Sequence, residues 1–174
     1  PNEVWVSDIT YQKIWDDVEE GTYHFCYISL ITDYYTKEII GYSVGESLST
    51  KYPLEALNMA LCRIEEKNVI PIHHSDRGLQ YCSALYQDVL AKHKIRPSMT
   101  DGYDCYQNAL AERINGILKN EFLIYKCNNK HELEKLIKES VLVYNNQRPH
   151  LSLKMKTPNF IHQKTDEENL HRLY

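Results

Sequence analysis

The spacing of apolar residues changes period once along this chain, and that change constrains the fold more than any other feature. Residues 4–11 alternate and are rich in β-branched and aromatic side chains, and residues 22–32 form a nearly continuous apolar run. Residues 38–45 follow after only five more positions. All three segments read as strands. The short Asp33-Tyr-Tyr-Thr-Lys37 connection fits a hairpin, so the second and third strands are expected to pair antiparallel. From residue 53 the period becomes helical, with Leu54, Leu57, Leu61 and Ile64 on one face and Pro53 suited to the first turn. A strand at 69–75, a helix at 84–92, a fifth strand at 95–99 and helices at 108–124 and 131–144 complete the pattern. Pro97 assigns the fifth strand to a sheet edge, and Pro149 and Pro158 are expected to break up the end. The order β-β-β-α-β-α-β-α-α predicts an α/β fold, a five-stranded mixed sheet with helices on both faces.

Composition narrows the classes this fold can serve. At 174 residues the chain fits one domain, 1–174, large enough to bury a core without disulfide or metal staples. Its five cysteines (Cys26, Cys62, Cys82, Cys105 and Cys127) are odd in number and widely spaced, unlike a disulfide framework or a zinc knuckle. Buried reduced thiols in a cytoplasmic protein are expected. No GxGxxG or Walker sequence occurs. No apolar run approaches the roughly 18 residues that cross a bilayer, so no membrane partner is expected. The start, Pro1-Asn-Glu, is not a signal peptide, and the missing Met suggests a cut inside a longer chain.

Charge is unevenly spread. The net value is −4, yet residues 1–112 carry −8, residues 113–164 carry +6 and the last ten carry −2. A basic segment joined to an acidic one suggests a surface for a polyanion and a separate concentration of carboxylates. A chance imbalance across solvated helix faces fits the same numbers.

Three carboxylates stand out. Asp8 lies inside a strand pattern beside Trp5, Val6 and Ile9, where an unpaired charge is expensive. Asp76 ends the fourth strand, and in a sheet with crossovers sites form at strand ends. Glu112 lies on the helix beginning near Asn108, whose Leu110, Ile114, Ile117, Leu118 and Tyr125 are spaced to face the core. Asn108, Glu112, Asn115 and Lys119 form a polar stripe on that helix. Singly, each carboxylate has a plain reading: a strand end, a turn, a solvated helix charge. Jointly, carboxylates brought together repel unless cations separate them, and hard divalent cations prefer oxygen ligands.

Four segments in order carry a resemblance. Trp5-Val-Ser-Asp-Ile-Thr10, His74-Ser-Asp-Arg-Gly78 with Gln80-Tyr81, Asn108-Ala-Leu-Ala-Glu112 and Tyr144-Asn-Asn-Gln-Arg-Pro-His150 resemble the catalytic core of insertion-sequence transposases related to retroviral integrases, in the copy-out-paste-in group. Asp76 and Glu112 are separated by 35 residues, as in that family, and Leu153 and Thr157-Pro158 also fit. The resemblance implies a ribonuclease-H-like fold and a catalytic, metal-binding triad of Asp8, Asp76 and Glu112 with two Mg²⁺ or Mn²⁺ ions. It also implies DNA as partner (transposon ends and target), cleavage of the ends, 3′-hydroxyl strand transfer without a covalent protein intermediate, and self-association in the active complex. Residues 145–174 would be a partly irregular C-terminal extension, and the family's upstream helix-turn-helix region is absent from this chain. The chain departs from the family at Gln107, where many members carry Asp, which leaves that position's role open.

Around the triad, His74, Arg77, Gln80 and Asn108 are candidate substrate-positioning residues. With hard metals neither His73 nor His74 is expected as a direct ligand. Asn115, Lys119, Arg148, Lys154 and Lys156 are candidate DNA contacts, which would grip phosphates without reading sequence. Asp101, Gly102 and Asp104 suggest a loop beside the site, and Asp104-Cys-Tyr-Gln107 suggests a helix cap. Most of the fourteen tyrosines should be core or sheet-face residues, with one or two able to stack on bases. Three other readings remain: a ribonuclease-H-like or resolvase-like nuclease, a decayed domain that only binds DNA or oligomerises, and a tyrosine recombinase. The family-like tail from Tyr144 to Pro158 disfavours the first, the complete triad the second and the three leading strands the third.

Overall fold

The computed structural model describes residues 1–64, 69–100, 108–123 and 125–171, without the side chains of 166, 167 and 169–171. Five strands form one mixed sheet in the order β3-β2-β1-β4-β5. The strands β1 (Val4–Asp17) and β2 (Thr22–Asp33) make an antiparallel hairpin, and β2 pairs antiparallel with β3 (Ile39–Gly45). The short β4 (Ile72–Ser75) runs parallel to β1, and β5 (Arg96–Met99) runs parallel to β4. Strands joined by turns are antiparallel, and those joined through helices are parallel. β5 occupies an edge, where the missing N–H of Pro97 is tolerated.

Each sheet face carries its own core. On one, Ile14, Cys26, Ile28, Leu30 and Val44 meet Ile114 of α4 (Ala109–Ile117), Leu118 of the π-helical turn Leu118–Phe122, and Leu133, Ile137 and Tyr144 of α5 (Lys130–Gln147). On the other, Trp5, Ile31 and Ile40 pack against α1 (Lys51–Leu61) and against Tyr81 of α2 (Leu79–Cys82) and Tyr86 of α3 (Ala84–Lys92). The last helix, α6 (Pro158–His171), lies against α5. A bulge lets consecutive β3 residues serve both cores. Ile31 pairs with Gly41 and Thr32 with Ile39, so Ile40 is the extra residue and turns to the face opposite Ile39.

Several sequence expectations need correction. β1 continues six residues past the predicted end at Tyr11, because its polar residues there face solvent while Ile14 stays in the core. The helix expected over 108–124 is two pieces, α-helical and then π-helical, and ends at Phe122. Tyr125, expected in the core, therefore lies beyond the helix and is exposed. Pro158 does not break the tail: it opens α6, at a position where the absent N–H costs nothing. Of the described cysteines, Cys26 and Cys127 are buried as expected, but Cys62 and Cys82 are exposed free thiols.

The approach of α1 to the sheet depends on Gly41. A Cβ there would stand 2.2 Å from the Ala56 carbonyl oxygen, a backbone atom that cannot swing aside. Gly41→Ala should cost about 1–3 kcal/mol, a fall in Tm of about 3–10 °C. Gly116→Ala, within α4 where a Cβ meets nothing inside 4 Å, should instead gain up to about 1 kcal/mol. Thermal unfolding of the two variants checks the contrast.

Candidate active site

β4 stops at Ser75, level with Ser7 of β1, while β1 runs on. Asp8 is therefore the first residue of β1 without a β4 neighbour, and it is half-buried rather than enclosed. Asp76 follows β4 directly and is exposed, and its Oδ1 accepts a hydrogen bond from the Gly78 N–H at 2.9 Å. That turn leads into α2. Glu112 is exposed in the first turn of α4.

Two buried amides clamp α4 onto β1. Asn108 Nδ2 donates to the Ser7 carbonyl at 3.2 Å, and Asn115 Nδ2 donates to Asp8 Oδ2 at 2.6 Å. They lie four residues before and three residues after Glu112, which puts Glu112 on the helix face turned to β1. Burial pushes the Asp8 carboxyl up to about 6, against hydrogen bonds from Asn115 and the Ile9 backbone, and the charges of Asp76 and Glu112 push it further. Lys119, next along the stripe, has its pKa lowered by burial and partly restored by Asp8. The three carboxylates thus gather at the open end of β4 without closing into a cage. Among the described residues no three His, Cys, Asp or Glu side chains group tightly enough to hold a metal ion. Uncompensated carboxylates resist closer approach.

The other candidates fall in different places. His73 is a core residue: its Nε2 meets the Tyr86 hydroxyl at 2.9 Å, and burial pushes its pKa down to about 4. His74 Nδ1 meets Ser98 Oγ at 2.9 Å, linking β4 to β5, and its buried Nε2 has no partner among the described residues. Arg77 Nε donates to the Thr100 carbonyl at 2.8 Å and Gln80 Nε2 to the Leu48 carbonyl at 2.8 Å, so both brace the loops around Asp76. Asn115, expected at a DNA surface, is buried against Asp8. Arg148 forms a two-pronged ion pair with Glu121 at 2.6 Å per contact. Lys154 and Lys156 are exposed and line a groove with Tyr34, Tyr35 and Lys164, and none of the three carboxylates lines it. Asp101, Gly102, Asp104, Cys105 and Gln107 lie outside the described residues. One local feature went unread in the sequence. Ser7 Oγ and the Tyr81 hydroxyl are 2.8 Å apart and buried, joining β1 to α2 beneath the carboxylates. The Gln80-Tyr81 pair was its only trace.

Comparison with known proteins accords with this geometry. A family model described as integrase core domain matches residues 1–105, and a second with the same description matches residues 93–158. The chain belongs to the integrase core domain family. It is 40% identical over 155 residues to the Shigella sonnei "Insertion element IS600 uncharacterized 31 kDa protein", covering 88% of this chain and 54% of that protein. With the "Putative transposase for insertion sequence element IS986/IS6110" of Mycobacterium tuberculosis it shares 36% over 127 residues, 71% of this chain and 43% of that one. The chain spans about half the length of the curated relatives it matches. Its fold is similar to the HTLV-2 integrase catalytic core domain in complex with magnesium (dimeric form), with a TM-score of 0.64 at 21% identity, covering 91% of this chain and 94% of that one. The expected ribonuclease-H-like fold is borne out.

The raised Asp8 pKa has a thermodynamic sign. In the folded state without divalent cations the carboxyl holds its proton to higher pH than in the unfolded chain. Stability from this group is therefore present below its unfolded pKa of about 4 and lost as pH rises through about 6. Asp8→Asn should melt higher than the parent at pH about 7.5 in a chelating buffer, and the gap should close by pH about 4. A pair of melting curves at each pH measures it.

Proposed function

We propose that this chain is the catalytic core of an insertion-sequence transposase, a polynucleotidyl transferase that cuts the ends of a mobile element and joins the freed 3′-hydroxyls to DNA. Family membership supports the reaction class. The observation that carries the residue assignment is the placement of Asp8, Asp76 and Glu112 together at the open end of β4, near enough for the charges of Asp76 and Glu112 to act on the Asp8 carboxyl. A set made only of carboxylate oxygens, one of them pushed up to about 6 by burial first and by its neighbours' charges after that, fits hard divalent cations. Asp8, Asp76 and Glu112 would hold two Mg²⁺ or Mn²⁺ ions. Such ions supply activation of the attacking oxygen and stabilisation of the leaving one.

The chain's own residues then have separate tasks. Asn115 orients the Asp8 carboxylate, and Asn108 fixes the start of α4 so that Glu112 stays opposite β1. Gly78 holds the Asp76 carboxylate through its N–H. Ser7 and Tyr81 are buried and hydrogen-bonded to one another, and burial raises the Tyr81 phenol well above its usual range, so neither is poised as a nucleophile. As the family resemblance implies, attack on phosphorus would come from water and then from a DNA 3′-hydroxyl, with no protein–DNA bond. The working complex would contain more than one copy.

Incubation with DNA carrying its element ends and Mg²⁺ or Mn²⁺ should yield nicked and then joined products. Asp8→Asn, Asp76→Asn and Glu112→Gln should each abolish both, whereas Asn115→Ala should lower the rate about 10–100-fold without abolishing it. Joined products persisting in any of the three amide variants would remove that residue from the site. Nicking without joining would favour the nuclease reading.

A further inference from the structure

From Tyr11 onward the β1–β2 hairpin carries a face that, among the described residues, neither core uses. The register Tyr11 opposite Tyr27, Lys13 opposite Phe25 and Trp15 opposite Tyr23 sets these side chains on one side, away from Ile14 and Cys26. Tyr11, Phe25, Tyr23 and Trp15 form a chain of edge-to-face contacts with centroids 5.1, 5.5 and 5.6 Å apart. Tyr11 is 55% exposed, Tyr23 42% and Phe25 37%, a contiguous aromatic patch rather than scattered apolar surface. Lysines cover the rings. Lys13 Nζ is 4.0 Å from the Tyr23 centroid, Lys119 Nζ 4.2 Å from Tyr11 and Lys126 Nζ 4.5 Å from Trp15.

The patch is continuous with the candidate active site. Tyr11 lines a groove that also holds Asp76, Gly78 and Gln80, and it lines a second groove with Lys13, Trp15, Lys119 and Lys126. Among the described residues no carboxylate lines the second groove. From Tyr11 to Trp15 the track spans about 13 Å, at about 3.3 Å per strand residue. Asp16, Asp17, Glu19 and Glu20 at the hairpin turn close its far end to a polyanion.

We propose that this face binds an unpaired segment of DNA next to the phosphate being cut, its bases stacking on Tyr11, Tyr23 and Trp15 and its phosphates meeting Lys13, Lys119 and Lys126. The inference rests on reading the chain as a DNA strand-transfer core. An arriving base displaces a lysine from its ring, and the freed ammonium moves to a phosphate. The exchange is favourable because base–aromatic stacking exceeds an exposed cation–π contact. Bases within a duplex cannot make these contacts, so the track selects single strands. A second copy of the chain is a poorer occupant, since it would bring the lysines of two faces together.

Tryptophan fluorescence reads this directly. The chain has two tryptophans, and Trp5 is fully buried, so quenching by a ligand reports Trp15. In a chelating buffer, titration with single-stranded oligothymidine should quench Trp15 at lower concentration than a duplex of the same length. Tyr11→Ala and Trp15→Ala, followed by anisotropy of labelled oligothymidine, should each weaken binding about 5–150-fold while Tm stays close to the parent. Lys13→Gln with Lys126→Gln should flatten the salt dependence by roughly one to two charges. Equal or tighter duplex binding, or unchanged affinity in the aromatic variants, overturns the inference. So does loss of self-association with intact strand binding, which would make the face a contact between copies. Asp8→Asn should keep the Trp15 response. A response without cutting and joining removes the strand-transfer reading alone, and cutting and joining without a response removes the track alone.

Discussion

Everything distinctive about this molecule follows from a mismatch in strand length. β4 pairs with β1 over only four residues, Val4–Ser7 against Ile72–Ser75, while β1 and β2 remain paired to the end of the hairpin. Asp8 is thus set in a strand but flanked by an open space, and the loop leaving β4 carries Asp76 into that space. A fully paired neighbour would have made an ionised Asp8 far more costly. α4 covers the gap, and because its clamps are amides rather than cations, the carboxylates are held near one another without being neutralised.

A second polar cluster balances the sheet at the β2–β3 turn. Asp33, Thr36, Glu38, Asn2 and His162 are all buried there. Asp33 Oδ1 accepts from the Thr36 backbone at 2.7 Å, and Glu38 meets His162 at 2.7 Å and Arg63 at 2.5 Å. Burial works against ionisation of Glu38, yet its contacts with His162 and Arg63 outweigh it and hold the carboxyl below its usual range. The cluster joins β1, the turn, the end of α1 and α6. It explains why Glu38, which looks like the first residue of a strand, acts as an anchor just before β3.

The sheet was legible in the sequence because its signals are local: alternation, a five-residue hairpin connection, and a helix that starts at Pro53. The spacing of Asp8, Asp76 and Glu112 was legible for another reason, since four ordered segments carried it. What escaped depends on contacts between distant residues. Gln12 and Lys13 look like loop residues until Phe25 and Cys26 are seen paired to them across the hairpin. Asn115 looks like an outward polar residue until Asp8 is found beneath it. The π-helical turn leaves no periodic trace, so helical spacing carries Tyr125 one turn too far along the same face.

The stretch of β1 beyond Ser7 has one more consequence, for solubility. Among the described residues no strand pairs with that side until Ile14 bridges to Cys127. An open edge of this kind invites pairing with another chain. Here it is short, bounded by β4 at one end and by the Cys127 bridge at the other, with an acidic residue at its head and α4 leaning across it. The same clamps that aim Glu112 therefore also keep a sticky strand from its own kind, and any change that loosens α4 carries a risk of aggregation as well as a loss of alignment.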